Sequence, residues 1–473
     1  MQTRTHYQVI IAGAGPAGLL LAKKLCEQGV SVAVYEPKRE EALGHDWSDA
    51  VEKSALASAG FEIPEVVERR YVGKWVKTDE NDPNNLFEPH CINPLEIRSP
   101  DLSCTVSGGV AFRYITTDRK VLSRVLAEQA TAAGAHVFYR HRVDELLGDT
   151  AGPLENIQVT GAQITNLEKE RTFEMHAIVT VDATGLGATL RVRLSGAPEI
   201  NRKFRGSELA YACRTVRRLD PEKTGNDDLI DHYRYGAHKG YFWTHRHHED
   251  SLDIGGGVSE MPGRIDPMTV ITEMINARPS VTGEEIRGGG GAVLVGKSPF
   301  SLVASGFLCV GDAAGQVIPT TGCGTGSAMT SALLSAGVIG AALKKGDCSI
   351  KALWPCNYVW FSGRGSHFAA LSAIKDVLQE LSHEQVTFLM EKGIMNSKML
   401  TTAINGLFIA PGGRDMVLSV RNGFSKPRLL LKLNRANTIG KKIFRHYRNY
   451  PAQWDPAAFS GWTKKARDLF EKL

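Results

Sequence analysis

No C-x-x-C pair occurs in the sequence, and its eight cysteines are scattered, so neither a zinc ribbon nor a dithiol redox pair is expected. Cys26 falls in an expected helix and Cys309 in an expected strand, where buried free thiols are ordinary. Such usage suits a reducing cytoplasm. No apolar leader precedes the first expected strand, so no secretory signal is expected. The most apolar long stretch, residues 327–343, contains Ser, Thr and Gly and is slightly short of a membrane span. It reads as a buried helix. Strong charge of one sign is also missing. The net charge of +5 is too mild to suggest nucleic-acid binding. No internal repeat or long low-complexity tract is present.

What the sequence does have is length and glycine. A chain of 473 residues exceeds one compact core, so two or three lobes are expected. Its 48 glycines cluster in a few stretches, expected to be loops where backbone approaches a ligand. Residues 7–12 form a short apolar run that predicts a buried strand. Pro16 to Gln28 has helical spacing of Ala17, Leu20, Leu21 and Leu25, closed by Gly29, and Val30 to Tyr35 predicts a second strand. Together they make a right-handed β-α-β unit. Residues 73–100 are rich in Asp, Asn and Pro and read as an excursion or edge element outside the core. A helix is expected over 118–133, with Thr117 or Asp118 as cap, then a parallel strand at 136–139. Residues 157–165 and 171–176 alternate like an antiparallel pair, and 177–181 reads as a buried strand. Residues 206–291 predict a second, antiparallel sheet. Residues 306–310 predict one more buried strand, and the chain beyond about residue 344 is mostly helical in pattern.

Three motifs carry chemistry. The first is Gly13-Ala14-Gly15-Pro16-Ala17-Gly18. Gly13 allows a tight turn, Gly15 lets backbone approach a pyrophosphate, and Gly18 lets helix and strand pack closely. Free N–H groups and the dipole of the helix at Pro16 and Ala17 face the phosphates. Glu36, followed by Pro37, closes the second strand, placed for ribose hydroxyls. The second motif is Asp182-Ala183-Thr184-Gly185 at a strand end, where small residues admit a cofactor; Asp and Gly also make ordinary turns. The third is Gly311-Asp312-Ala313-Ala314-Gly315 followed by Pro319, Gly322, Cys323 and Gly324. It places an acid for a ribityl or ribose hydroxyl and a helix N-terminus for negative charge on a reduced flavin.

Together these motifs resemble the FAD-binding fold of para-hydroxybenzoate hydroxylase and glutathione reductase. Within it, Gly311-Asp312 matches the second FAD fingerprint, and Arg119 lies in the segment matching the helix beside the flavin. The loop from Gly311 onward is similar to the G-D-A-A-G-x-x-x-P-x-T-G-G-G loop of the geranylgeranyl reductase family, which includes FixC-like FAD-dependent oxidoreductases. That family carries a Tyr-x-Trp-x-Phe-Pro motif before a glycine-rich strand. Here Tyr241 and Trp243 match, His245 and Arg246 replace Phe and Pro, and Gly255-Gly256-Gly257 follow. Leu381-Ser382-His383-Glu384 resembles the family's Leu-Ser-Asp-Glu helix start. Where many members place Cys-Gly close to the flavin, this chain has Gly44-His45-Asp46-Trp47-Ser48. His45 and Asp46 either supply an acid-base group there or cap the next helix.

The resemblance implies an α/β fold: a Rossmann-like FAD-binding domain, an antiparallel-sheet substrate domain and a C-terminal helical region. The expected boundaries are 1–75 with 101–190 and 292–345 for FAD, 76–100 with 191–291 for substrate, and 346–473 for the helices. Tyr241 and Trp243 share a strand face and line either the pocket above the flavin or an aromatic core. His245, His247, His248, Glu249 and Asp250 lack metal-ligand spacing and read as a solvated turn. Cys323 reads as a small packed thiol.

The implied activity is flavin-dependent reduction of carbon–carbon double bonds in an apolar, prenyl-type small molecule. NAD(P)H or a carrier protein or quinol would supply the electrons, since no second dinucleotide motif is present. The alternatives are an aromatic monooxygenase and a FixC-like electron-transfer or quinone-interacting flavoprotein. The Trp-x-Trp-x-Ile-Pro signature of flavin halogenases is absent. A basic segment of Arg414, Arg421, Lys426, Arg428, Lys432, Arg435, Lys441, Lys442, Arg445 and Arg448 is interleaved with leucines and isoleucines. It is either a solvated helix face or a contact with an anionic membrane, so the expected location is cytoplasmic or peripheral on the inner membrane face. Replacing Gly15 with Val is expected to abolish FAD binding, measured as visible flavin absorbance per mole of purified protein; stoichiometric flavin in that variant would contradict the assignment.

Overall fold

The computed structural model describes residues 6–64, 66–69, 73–76, 86–87, 91–92, 94–110, 113–225, 228, 231–248, 250–260, 263–410, 412 and 421–473. Glu249 and Arg414 lie outside them.

The N-terminal β-α-β unit forms as its pattern requires. His6–Ala12 pairs in parallel with Val32–Glu36 across the helix Pro16–Cys26. That pair sits inside a sheet ordered His136–Tyr139, Val32–Glu36, His6–Ala12, Arg171–Asp182, Gln158–Asn166 and His141–Asp149. Arg171–Asp182 is one continuous strand that changes partner. Its first half pairs antiparallel with residues 161–166, and its last three residues pair in parallel with Phe307–Cys309. The alternating and the fully apolar patterns around residue 177 are therefore two environments of a single strand. Five parallel strands thus end at the same edge, at Ala12, Glu36, Tyr139, Asp182 and Cys309. A dinucleotide site is expected just beyond such an edge.

The helix Arg119–Ala132 is capped by Asp118, whose carboxylate accepts from the N–H groups of Lys120 and Val121 at 2.8 Å each. The apolar stretch at 327–343 is the middle of Thr325–Lys345, a helix long and apolar enough to cross a membrane but mostly buried here. It packs on Pro16–Cys26 and Lys53–Ala59.

The second sheet runs Val281–Leu294, Leu209–Leu219, Ser251–Ser259, Gly240–His248, Asp231–Tyr235, Pro94–Arg98 and Thr105–Val110. Residues 94–98 are therefore not an edge excursion. They pair in parallel with Asp231–Tyr235, and Ile97 is fully buried among Leu381, Val386 and Leu389. Thr105–Val110, expected beside the cofactor-binding strands, is the edge strand of this second sheet.

Two glycine clusters are strand: residues 255–257, as the resemblance implied, and residues 288–291. A Cβ on Gly255 would stand 2.3 Å from the Trp243 ring, and one on Gly256 2.0 Å from the Phe242 ring. Residues 288–291 lie within Val281–Leu294, with Trp47 over Gly289 and Gly291. The missing side chains make room for aromatic rings between strands. Gly256→Ala is expected to destabilise the protein by about 1–3 kcal/mol in urea unfolding, because Phe242 has no free volume to move into; an unchanged midpoint would contradict this packing.

Candidate active site

A cavity of about 1090 Å³ opens beyond the shared strand edge and continues to the second sheet and the C-terminal helices. Ordinary ligand pockets hold about 300–1,000 Å³, so this one has room for a large cofactor together with a second molecule. One end is lined by Glu36, Lys38, Arg142 and Arg193, the other by Leu378, Val386, Met395 and Ile404.

The first glycine loop has the shape its sequence predicts. A Cβ on Gly13 would lie 2.4 Å from the Ala183 carbonyl oxygen, and one on Gly18 2.2 Å from that of Gly13. Gly15 has nothing within 4 Å, and Gly13, Gly15, Pro16 and Ala17 line the cavity. The backbone is closed where it packs and open where a phosphate would come. The helix beginning at Pro16 has no side-chain cap and no acid in its first turn. The same holds for the helix beginning at Thr325 after Gly324. Two free helix N-termini therefore border one cavity, an arrangement that attracts anions. Glu36 is buried and accepts from Ala14 N–H at 2.8 Å and Lys38 N–H at 3.0 Å. Each of its oxygens retains capacity for a hydroxyl donor, and both Glu36 and Pro37 line the cavity. Gly18 packs behind the loop.

Asp182 departs from expectation. It is fully buried and outside the cavity lining. One carboxylate oxygen accepts from Thr184 N–H and Oγ1 at 3.0 and 2.6 Å, the other from Leu190 and Arg191 N–H at 3.1 and 2.7 Å. Its acceptors are occupied by its own loop, so the cavity meets Gly185 instead. The buried Arg191 guanidinium then reaches the carbonyls of Ala313, Ile200 and Arg202 at 2.6–2.7 Å. Gly311 and Asp312 line the cavity, with Pro319, Gly322, Cys323 and Gly324. Burial pushes the Asp312 carboxyl above its ordinary range; Arg119 opposes this and Asp49 adds to it.

The segment at 44–48 is folded onto the Arg119 helix. A Cβ on Gly44 would lie 2.6 Å from the Arg119 carbonyl, and its φ of +77° suits glycine. His45 stacks on Trp47 with ring centroids 4.8 Å apart, and both line the cavity. Burial lowers the His45 pKa, helped by Arg119 and Lys38 and opposed by Asp49, so its ring is neutral at neutral pH. Asp46 is not in the cavity. Its side chain is exposed and pairs with Arg287 at 3.5 Å. Neither residue caps a helix, because the next element is the strand Ser48–Glu52. Arg119 pairs with Asp49 at 2.5 Å, and Thr325 Oγ1 lies 3.5 Å from the same carboxylate oxygen.

Tyr241 and Trp243 form part of the opposite wall, while Phe242 between them is buried behind it. The Tyr241 hydroxyl donates to the Thr321 carbonyl at 2.6 Å, joining the second sheet to the glycine loop. Burial raises the Tyr241 pKa well above its ordinary value, with Cys323 contributing. Burial also pushes the Cys323 thiol up to about 11, so it is a packed thiol and not a thiolate. His245, Arg246 and His247 belong to the strand Gly240–His248 and line the cavity, so this stretch is not a solvated turn.

Family models described as FAD binding domains match residues 6–55 and 56–200. The chain is 25% identical to digeranylgeranylglycerophospholipid reductase of Sulfolobus acidocaldarius, covering 99% of this chain and 98% of that one. It is 28% identical to the enzyme so named in Methanocella arvoryzae, covering 74% and 81%. The chain is an FAD-dependent oxidoreductase, geranylgeranyl reductase-like. A geranylgeranyl bacteriochlorophyll reductase-like structure from Thermoplasma acidophilum shares its fold, with a TM-score of 0.66, 18% identity and coverage of 91% and 99%.

The flavoprotein contains residues near its cavity that motif reading missed. Asp49 links Arg119 and Thr325, and it lies only one residue beyond the segment that had drawn attention. His245, expected in a solvated turn, instead shares the strand face of Tyr241 and Trp243, which continuing their alternation would have shown. Arg214, paired with Asp253 at 2.5 Å and bonded to the Ser48 carbonyl, joins two distant strands and left no local signal. The raised Asp312 pKa means that ionised Asp312 penalises the folded apoprotein at neutral pH, and the penalty vanishes as pH falls through that pKa. Asp312→Asn is expected to raise the apoprotein Tm by about 1–2 °C at pH 7, with the gain absent near pH 4, while weakening FAD binding. Thermal scans of apoprotein and flavin titration check both; a lowered apoprotein Tm at pH 7 would contradict the reading.

Proposed function

We propose that this FAD-dependent oxidoreductase reduces carbon–carbon double bonds of a prenyl-type lipid. The observation that carries the reading is the lining supplied by the C-terminal helices, where Leu378, Val386, Met395 and Ile404 add apolar side chains to the cavity. FAD would be held by the glycine loops: Gly15 leaves room for a pyrophosphate, Glu36 and Asp312 would accept from hydroxyls, and the two uncapped helix N-termini would stabilise negative charge. When bound, the reduced flavin supplies the hydride. The chain's own residues seat the polyene along the apolar wall and exclude water around Tyr241 and Trp243. His45 is neutral at neutral pH, whereas Tyr241 keeps its hydroxyl proton. Both groups are uncharged, and the burial that raises the Tyr241 pKa opposes the tyrosinate that giving its proton would leave, so Tyr241 serves to shape the pocket wall. NAD(P)H or a carrier protein delivers electrons transiently, in keeping with a single dinucleotide motif. The enzyme works in the cytoplasm, at the inner membrane face.

Anaerobic reduction of the holoenzyme, followed by addition of a prenyl lipid, a quinone or oxygen, tests the reading. Flavin reoxidation by the prenyl lipid without oxygen, with a product gaining two hydrogens per double bond, is expected. Reoxidation by oxygen alone with a hydroxylated product, or by quinone alone, would replace it with a monooxygenase or an electron-transfer function.

A further inference from the structure

The basic helix Pro427–Arg448 does not present its apolar face to the outside. Leu429, Ile439 and Ile443 are buried, and the helix packs along Arg364–Gln379. What it presents is the opposite face. Residues 421–449 contain nine Lys and Arg and no Asp or Glu. Arg428, Arg435, Lys442, Arg445 and Arg448 are exposed at helical spacing, a basic stripe about 30 Å long. Glu380 reaches into it only to pair with Lys432.

Two large apolar side chains project from the start of this stripe. Phe424 is 76% exposed and Leu431 68%. Singly exposed apolar side chains are ordinary on a protein surface; beside an unbroken basic stripe these two make the combination that suits an anionic interface. Their position connects to the site. Leu429, Leu430 and Leu433 belong to the same hydrophobic cluster as Leu378, Val386, Met395 and Ile404, the residues that line the far end of the cavity. Lys426 lies 4.7 Å above the Phe388 ring in that cluster. The cluster thus lines the cavity and also holds Leu429, Leu430 and Leu433 of the helix that bears Leu431.

We propose that this face docks on an anionic lipid bilayer, with Phe424 and Leu431 entering the interface and the basic stripe lying over lipid phosphates. The proposal deepens the prenyl-lipid reading and rests on it for its purpose, since docking brings the apolar end of the cavity to the phase that holds the substrate. Its physics is separate. Apolar insertion and attraction to anionic headgroups add, and neither alone holds a protein firmly.

The test uses the FAD-loaded full chain and vesicles free of prenyl substrate. Co-sedimentation is measured with phosphatidylcholine vesicles and with vesicles mixed with phosphatidylglycerol. Binding to the anionic vesicles alone, weakened by salt, is expected. Phe424→Ser with Leu431→Ser is expected to weaken it about tenfold or more, as is Arg428→Glu with Arg435→Glu; Lys351→Glu, on another helix, should bind as the parent does. Melting temperature and flavin content verify that each variant is folded. Absence of vesicle binding, or equal binding to neutral vesicles, would overturn the proposal. So would loss on charge reversal with none on removal of the two apolar side chains, which would mark the face as a dock for an acidic protein. Vesicle binding by a protein that fails to reduce prenyl lipids would leave docking in place and overturn only the catalytic reading.

Discussion

Asp182 holds the cofactor wall together without facing the cofactor. Its buried carboxylate accepts from Thr184, Leu190 and Arg191, which fixes the path of the chain as it leaves the central strand. That path places Arg191 where its guanidinium gathers the carbonyls of Ala313, Ile200 and Arg202. The loop that carries Asp312 is therefore set by a carboxylate far earlier in the chain but on the neighbouring strand of the sheet. The same corner seats the first glycine loop, because the Ala183 carbonyl occupies the space a Gly13 side chain would need. Burying an aspartate and an arginine is costly unless they are hydrogen-bonded; backbone supplies nearly all the partners here, and Arg191 Nη2 is left without one among the described residues.

Much of this was legible in the sequence where chemistry is local. The glycine turn, the helix after it, Glu36 and the Asp118 cap depend on neighbours a few residues apart, and their patterns specify them. Asp182 misled because its position in the motif says only that an acid stands at a strand end. Whether its lone pairs face cofactor or backbone depends on residues 184–191, which carry no pattern of their own. Asp46 misled for a related reason. Its partner, Arg287, comes from the far edge strand of the second sheet, more than two hundred residues later. Residues 94–98 look like loop by composition, yet Ile97 completes a core built by helices from the C-terminal third. Non-local burial of that kind leaves no periodic trace.

The second sheet solves a packing problem with glycine. Trp47, Phe242 and Trp243 lie against strands whose facing residues have no side chain. The rings fill the space between layers, so the wall opposite the glycine loops is stiff although it is poor in branched side chains. That stiffness matters because Tyr241 spans from this wall to the Thr321 carbonyl. The geometry between sheet and loop is then held by one short hydrogen bond on a rigid support.

The helix Thr325–Lys345 is apolar enough to be mistaken for a membrane span, yet two of its partners, Pro16–Cys26 and Lys53–Ala59, precede it in the chain. A ribosome delivers those partners more than two hundred and fifty residues before the helix itself emerges. N-terminal units fold first during synthesis, so the most water-averse segment of the chain meets a surface already built to receive it. Order along the chain thus protects the nascent protein: the greasy stretch arrives at a site where two of its walls are already made.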